Sequence, residues 1–164
     1  MVLIRKGQVE DIEGLLDCEK RVWESLREFL PHSWIDDVIS LLSQSDVSDR
    51  LHSRLAYPSC ITLVAEDQFI VGLVYGSINR WKVSQVGFLD VNIPYRRQGI
   101  GRRLMNEYIE ESKRNGAHKI CLNTAPMLTP AIRLYIDLGF VPEGFLKQHA
   151  HGVDLIIYSK FLDS

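Results

Sequence analysis

The sequence predicts an α/β (α+β) fold, a mixed and mostly antiparallel twisted sheet flanked by helices, and three observations carry that reading. Two β-forming runs, 60–66 and 69–78, are separated only by Asp67-Gln68, the pattern of an antiparallel hairpin. A strand at 86–93, a helix opening near Ile100 and a strand at 119–124 follow one another in the order of a βαβ crossover, which makes its two strands parallel neighbours. Two more β-rich runs, 140–145 and 153–161, close the chain. A length of 164 residues suits one domain, 1–164, with a full core.

Taken in order, residues 2–5 form a short first strand. Asp11 caps or opens the next helix, along which Ile12, Leu15, Leu16, Glu19 and Val22 recur at helical spacing. Trp23, Leu26, Phe29, Leu30 and Trp34 continue an apolar, aromatic segment that Pro31-His32-Ser33 breaks, and helices at 35–42 and 47–56 follow. Tyr57-Pro58-Ser59 is a turn into the hairpin, whose Gly72 and Gly76 mark close packing or a bulge. The strand at 86–93 draws on Val86, Phe88, Leu89, Val91 and Ile93, and Pro94, which has no N–H, ends its pairing. In the helix beyond, Ile100, Leu104 and Tyr108 recur at i, i+4, as do Met105 and Ile109, and Gly116 is the left-handed cap. Thr129 caps the last helix with Pro130 at its first position, and Gly139 stops it. Residues 147–152 join the closing strands.

Composition removes several classes. Nineteen basic and 21 acidic side chains leave a net charge of −2, with no general pull toward nucleic acid. Cys18, Cys60 and Cys121 show no CxxC spacing, which argues for free thiols over a disulfide framework or a zinc site. The start, MVLIRKG, does not have the form of a signal peptide, and no apolar run approaches the ~20 residues of a membrane span. A cytoplasmic protein with no nucleic-acid or membrane partner is the expectation.

The chemistry concentrates at 96–103. Arg96, Arg97, Arg102 and Arg103 crowd a helix N-terminus, which already carries about half a positive charge and prefers acids. The arrangement is unfavourable unless an anion sits among them, and free N–H groups at a helix start cradle phosphate. At Gly99 and Gly101 the absence of a side chain lets the backbone approach such a ligand. The plainer reading is a strand-to-helix turn with solvated arginines, Arg103 pairing with Glu107 at i, i+4. No G-x-x-x-x-G-K-[ST] loop occurs, and a dinucleotide G-x-G-x-x-G would need glycine where Leu104 stands.

The stretch V-N-I-P-Y-R-R-Q-G-I-G-R-R-L-M, at 91–105, resembles the acetyl-coenzyme A signature of the Gcn5-related N-acetyltransferases, whose R/Q-x-x-G-x-G/A core is met by Arg96, Gly99 and Gly101. Ala131-Ile132-x-Leu134-Tyr135-x-x-Leu138-Gly139-Phe140 is similar to the family's second signature. The resemblance implies a splayed parallel strand pair, acetyl-CoA as co-substrate, no metal, and direct attack by a primary amine of a small molecule or a protein. It implies a coenzyme site at Arg96, Arg97, Gln98, Gly99, Ile100, Gly101 and Arg102, with the main chain of Val91 and Ile93 pairing to the pantetheine arm. It implies Tyr135 as general acid to the leaving thiolate: a phenol of pKa ~10 still carries its proton at neutral pH and can give it to a thiolate whose acid lies at ~8.5, a transfer uphill by only about 1.5 units. A homodimer is common among relatives. Two positions depart from the family: Asn123 stands where some members carry a catalytic Glu, and Leu128 where many have Asn. Candidates for the base are Asp90, Glu143, His149, His151 and an ordered water, Asp90 being nearest in sequence to the acetyl site. Trp23, Phe29, Trp34 and Tyr57 are core aromatics or the wall of the acceptor pocket. The alternative function is an acyl-CoA-binding sensor without turnover; a nucleic-acid module using the arginine cluster is disfavoured by net charge.

Overall fold

The computed structural model describes residues 1–163. Among them the chain forms, in order, β1 (Leu3–Lys6), α1 (Ile12–Ser25), α2 (His32–Leu41), α3 (Val47–Ala56), β2 (Cys60–Glu66), β3 (Ile70–Ile78), β4 (Val83–Val91), α4 (Ile100–Arg114), β5 (Lys119–Thr124), α5 (Thr129–Asp137), β6 (Val141–Ala150) and β7 (Val153–Phe161). The seven strands make one sheet in the order β1-β2-β3-β4-β5-β7-β6. Every neighbouring pair is antiparallel except β4–β5.

Alternation along β2 sends Leu63 to one face and Val64 to the other, so each face needs its own cover. The α4 stripe predicted from spacing (Ile100, Leu104, Met105, Tyr108, Ile109) packs with α5 on the first face. On the second face Leu15, Cys18 and Val22 of α1 meet Val64, Ile70 and Leu73. Ile35 of α2 extends that cover to Ala125, Val153 and Leu155. A buried hydroxyl chain fixes α4 on the sheet: Ser84 Oγ lies 2.9 Å from the Tyr108 hydroxyl and 3.0 Å from Ser112 Oγ. The glycine at 76 is required by this packing, because a Cβ there would collide with the Tyr108 hydroxyl and the Gln85 carbonyl.

The feature that positions the site is the shortness of the parallel pair. Only Val83, Ser84 and Gln85 pair, with Lys119, Ile120 and Cys121. Beyond them β5 continues along β7 and β4 along β3, so the two strands part. A bulge lies at the parting: Tyr75 faces Phe88 and Gly76 faces Val86, leaving Gly87 unmatched. The bulge explains how Val86 and Val91, five residues apart, both reach the α4 face, which strict alternation forbids.

Several boundaries differ from the sequence reading. β4 starts at Val83 and stops at Val91; Ile93 lies in a 3-10 turn, Ile93–Tyr95, which the Pro94 ring begins. α1 ends at Ser25, whose hydroxyl donates to the Val22 carbonyl, and the aromatic segment continues as a 3-10 turn, Leu26–Glu28. β6 runs to Ala150, so the loop at 147–152 shrinks to His151-Gly152, both at positive φ. Thr129 is itself the first residue of α5 and makes no capping bond. Asp11 does not cap α1; its carboxylate accepts from Arg5 and the Gln8 N–H.

Two outcomes are expected. Gly76→Ala lowers stability by about 3 kcal/mol in urea denaturation, since both obstructing atoms are held in place. Arg5 bonds Asp11 and Glu66 and holds both carboxyls below their usual range. Depressed carboxyls contribute stability that is complete above roughly pH 4 and lost as pH falls through their folded-state values. Arg5→Gln therefore lowers Tm at neutral pH, and the gap to the parent protein narrows as thermal melts are taken down toward pH ~2.

Candidate active site

The split between β4 and β5 leaves one strand edge open in the middle of the sheet. In an antiparallel pair, successive residues turn their peptide groups alternately toward and away from the partner. The Asn92 N–H donates to the Val71 carbonyl at 2.8 Å, so Asn92, Asp90 and Phe88 face β3. Leu89 and Val91 then turn their N–H and C=O groups to the side that β5 has left. The Val91 groups are already used: its N–H donates to Asp90 Oδ1 (2.7 Å) and its carbonyl accepts from Arg96 Nε (2.7 Å). Val91, expected from the sequence to pair with a ligand, carries these internal partners, and Ile93 is outside the strand with its carbonyl bonded to the Arg96 N–H.

At the end of β4 the chain turns through Arg97 (φ 64) and Gly99 (φ 76) into α4. The first helical bond runs from the Arg103 N–H to the Gly99 carbonyl, so the N–H groups just before it have no partner within the helix. Arg97, a side chain held in the left-handed region at a cost of about 1–2 kcal/mol, stands exposed at this concavity. Gly99 is needed for its φ, since a Cβ there meets nothing within 4 Å. At Gly101 a Cβ would rest 3.6 Å from Leu134 and 3.9 Å from Val91, an ordinary contact. The sequence reading gave both glycines the same task; the structure separates them.

The four arginines also separate. Arg96 folds back onto β4, and its Nη2 reaches Ser25 Oγ (3.1 Å) and Asp90 Oδ1 (3.3 Å). Arg102 pairs with Asp137 of α5 at 2.8 Å. Arg103 donates to the Val2 carbonyl at 3.0 Å, and Glu107, its expected partner, pairs instead with Arg114. Arg97 makes no hydrogen bond or ion pair among the described residues. Gln98 donates to the Pro94 carbonyl at 3.1 Å and so braces the loop.

α5 forms the other wall. Tyr135 is 6 % exposed, between Phe140 and Tyr158 at ring distances of 5.9 and 6.5 Å. Burial, and then the charge of Asp90, push its phenol well above the ordinary tyrosine value, so it is protonated at neutral pH. Burial also pushes the Asp90 carboxyl up, against the opposing effects of Arg96 and the Val91 N–H. The other proposed bases lie elsewhere. Glu143 is held low by Lys119. His149 is exposed on β6, and His151 stacks on Trp34 (5.9 Å, 13°) with Asp37 3.3 Å from its Nε2. Asn123 is exposed on β5, opposite Ile157 of β7.

On the α1 face, Trp23 stacks on Phe88 of β4 at 5.5 Å and approaches Trp34 at 6.2 Å. Both indoles also pack with the cluster that contains Ala125 and Leu128, just beyond β5. They therefore bridge the two sides of the split. Phe29 and Tyr57 are exposed, and Tyr57 borders a cavity of about 220 Å³ with Lys6, Arg54 and Glu111, away from β4 and β5.

Sequence reasoning missed Glu19 and Ser25. Glu19 is 3 % exposed, accepts the Tyr75 hydroxyl at 3.1 Å and leaves Oε2 without a partner, while the Arg54 guanidinium lies 3.8 Å over the Tyr75 ring. Burial pushes its carboxyl up, opposed by the charge of Arg54 and the bond from Tyr75. The signal was present: Glu19 occupies a core position of the α1 stripe, where a carboxylate is out of place. Among the described residues no cluster of His, Cys, Asp and Glu is arranged to hold a metal, and no helix is long and apolar enough to cross a membrane.

The sequence profile of the acetyltransferase (GNAT) family matches residues 19–140. No curated protein sequence matches the chain. Among solved structures, the PaiA N-acetyltransferase of Thermoplasma acidophilum, in complex with coenzyme A, superposes with a TM-score of 0.82 at 18% identity over 99% of both chains. An acetyltransferase of the GNAT family from Streptococcus pneumoniae gives 0.84 at 23% identity over 99% of this chain and 100% of its own. The ribosomal-protein-S18-alanine N-acetyltransferase of Escherichia coli gives 0.75 at 18% identity, covering 100% of this chain and 96% of its own. At these identities the superpositions establish the shared fold.

The two loop glycines are separable by experiment. Gly99→Ala is expected to cost about 1–2 kcal/mol in urea denaturation, from its positive φ. Gly101→Ala is expected to be neutral or to stabilise by up to about 1 kcal/mol through helix propensity.

Proposed function

The chain belongs to the acetyltransferase (GNAT) family, whose members use acetyl-CoA as co-substrate, and from that premise we propose that residues 1–164 act as one domain transferring acetyl to a primary amine by direct attack. The observation that carries the reading is the split between β4 and β5, bounded by the N–H-rich loop at one end and flanked by Tyr135 on α5.

In this reading the loop N–H groups at the α4 start take the pyrophosphate, and Arg97, without a partner among the described residues, meets a phosphate. The pantetheine arm lies along β4 and pairs with the peptide groups of Leu89, as an added strand does. The acceptor enters from the α1 face, past Trp23, Trp34 and Phe88. Its neutral nitrogen attacks the thioester carbonyl, a C–N bond forms, and main-chain N–H groups hold the oxyanion. The C–S bond then breaks, the remaining extra proton on the attacking nitrogen leaves to water, and Tyr135, held protonated by its burial, gives its proton to the thiolate and takes one back from water. An alkylammonium has pKa ~10.4, so a proton must leave nitrogen before attack. Asp90 is engaged by Arg96 and the Val91 N–H, and we assign that proton to water on the open acceptor side.

Incubation with acetyl-CoA and a panel of primary amines, read as thiol release, is expected to show enzyme-dependent turnover. Acetyl-CoA that raises Tm while no amine yields thiol identifies an acyl-CoA-binding sensor instead. Tyr135→Phe is expected to lower kcat by roughly 100-fold and to leave acetyl-CoA affinity unchanged; a kcat equal to that of the parent enzyme across pH removes Tyr135 as the acid.

A further inference from the structure

Among the described residues four buried side-chain polar atoms have no hydrogen-bond partner: Glu19 Oε2, Arg54 Nε, Arg54 Nη2 and Thr62 Oγ1. They gather around one ring. Thr62 stands opposite Tyr75 in the β2–β3 pair, Glu19 accepts from the Tyr75 hydroxyl at 3.1 Å, and the Arg54 guanidinium lies 3.8 Å over the Tyr75 ring. Buried polar groups are nearly always paired, so four unpaired ones in a single neighbourhood need an explanation. Arg54 and Thr62 both line the cavity of about 220 Å³ that opens between α3, the start of β2 and the C-terminal end of α4, and Thr62 is only 8 % exposed there.

The charges around the cavity set the sign of its ligand. The acid on its wall, Glu111, is saturated: Lys6 (2.5 Å), Arg114 (2.6 Å) and Asn115 (3.3 Å) all donate to its carboxylate. Lys6 is thereby neutralised, and Arg54 is the wall's uncommitted cation. Its Nε–H and Nη2–H form one edge of the guanidinium, two parallel donors that match the two oxygens of a carboxylate. Stacking on Tyr75 and the charge of Glu19 hold this fork, so turning it to a ligand breaks no hydrogen bond of either nitrogen. One uncommitted cation balances one negative charge, where a phosphate brings nearly two. Leu55 and Pro58 add apolar surface to the wall. The volume equals about seven waters at ~30 Å³ each, below the ~300 Å³ at which pockets for drug-sized ligands begin. We propose that this cavity is a second ligand site, for a small organic carboxylate whose head is taken by Arg54 and Thr62 and whose apolar body rests on Leu55 and Pro58. It is separate from the split between β4 and β5: Glu111 lies eleven residues along α4 from Ile100, ~16 Å at 1.5 Å per residue.

The test is calorimetric titration of the full chain with benzoate, with benzamide, which has the same shape and no charge, and with inorganic phosphate. Benzoate is expected to bind saturably at one site, and benzamide at least tenfold more weakly. Arg54→Gln is expected to weaken benzoate by tenfold or more, and Arg97→Gln to leave it unchanged. Thr62→Val is expected to weaken benzoate roughly fivefold and, without ligand, to melt no lower than the parent, because it replaces an unpartnered buried hydroxyl by a methyl of the same size. That variant carries the test should Arg54→Gln fail to fold. A parent protein that does not bind benzoate overturns the proposal, as does one that prefers benzamide or phosphate. Benzoate affinity unchanged in Arg54→Gln, or lost in Arg97→Gln, overturns it too, the latter by placing the anion at the α4 loop. A Thr62→Val protein that melts lower and binds benzoate as the parent does gives the hydroxyl an internal role and likewise overturns it.

Discussion

The structure depends on one violated regularity: a strand edge left unpaired in the middle of a sheet. Buried peptide groups without partners cost about 1–3 kcal/mol each, and β4 and β5 nonetheless part after three residue pairs. What permits this is the supply of other partners. β5 finds β7. β4 keeps β3, with the surplus residue absorbed at Gly87. At Val91 the side chains of Asp90 and Arg96 substitute for the missing strand. The fold is in that sense built one strand short along this stretch of β4.

The same deficit organises the charges. Four arginines at a helix start are a single anomaly when read as a linear cluster, yet the folded chain gives each a different partner. Arg96 stabilises an edge, Arg102 ties α4 to α5, Arg103 holds the N-terminal segment, and among the described residues Arg97 alone is left unpaired.

The opposite face shows a different economy. Trp23, Trp34 and Phe88 roof the split with aromatic area, and a buried carboxylate, Glu19, lies behind Phe88 under Tyr75, which stacks on Phe88 at 5.9 Å. Buried carboxylates are costly unless paired, and the Arg54 guanidinium over Tyr75 supplies nearby charge without a direct ion pair. That face of the split is thus apolar at its surface and polar one layer down.

The sequence by itself determined the element order, the hairpin, the crossover, the α4 stripe and the left-handed glycines at 116 and 139, because these follow from periodicity, turn chemistry and chain reach within some 15 residues. The family signature likewise rests on contiguous residues. What only the tertiary structure decided depends on atoms brought together from distant parts of the chain. The bulge at Gly87, with Tyr75 against it, needs the β3 register. Glu19 looked like one more position on an apolar stripe until Tyr75 gave its carboxylate a partner 56 residues away. Arg96 and Arg97, adjacent and chemically identical in the sequence, received opposite roles because one side chain falls within reach of Val91, Asp90 and Ser25 and the other points to solvent. Residue type sets which bonds a side chain can make; the folded neighbourhood decides which of them are left to make with a ligand.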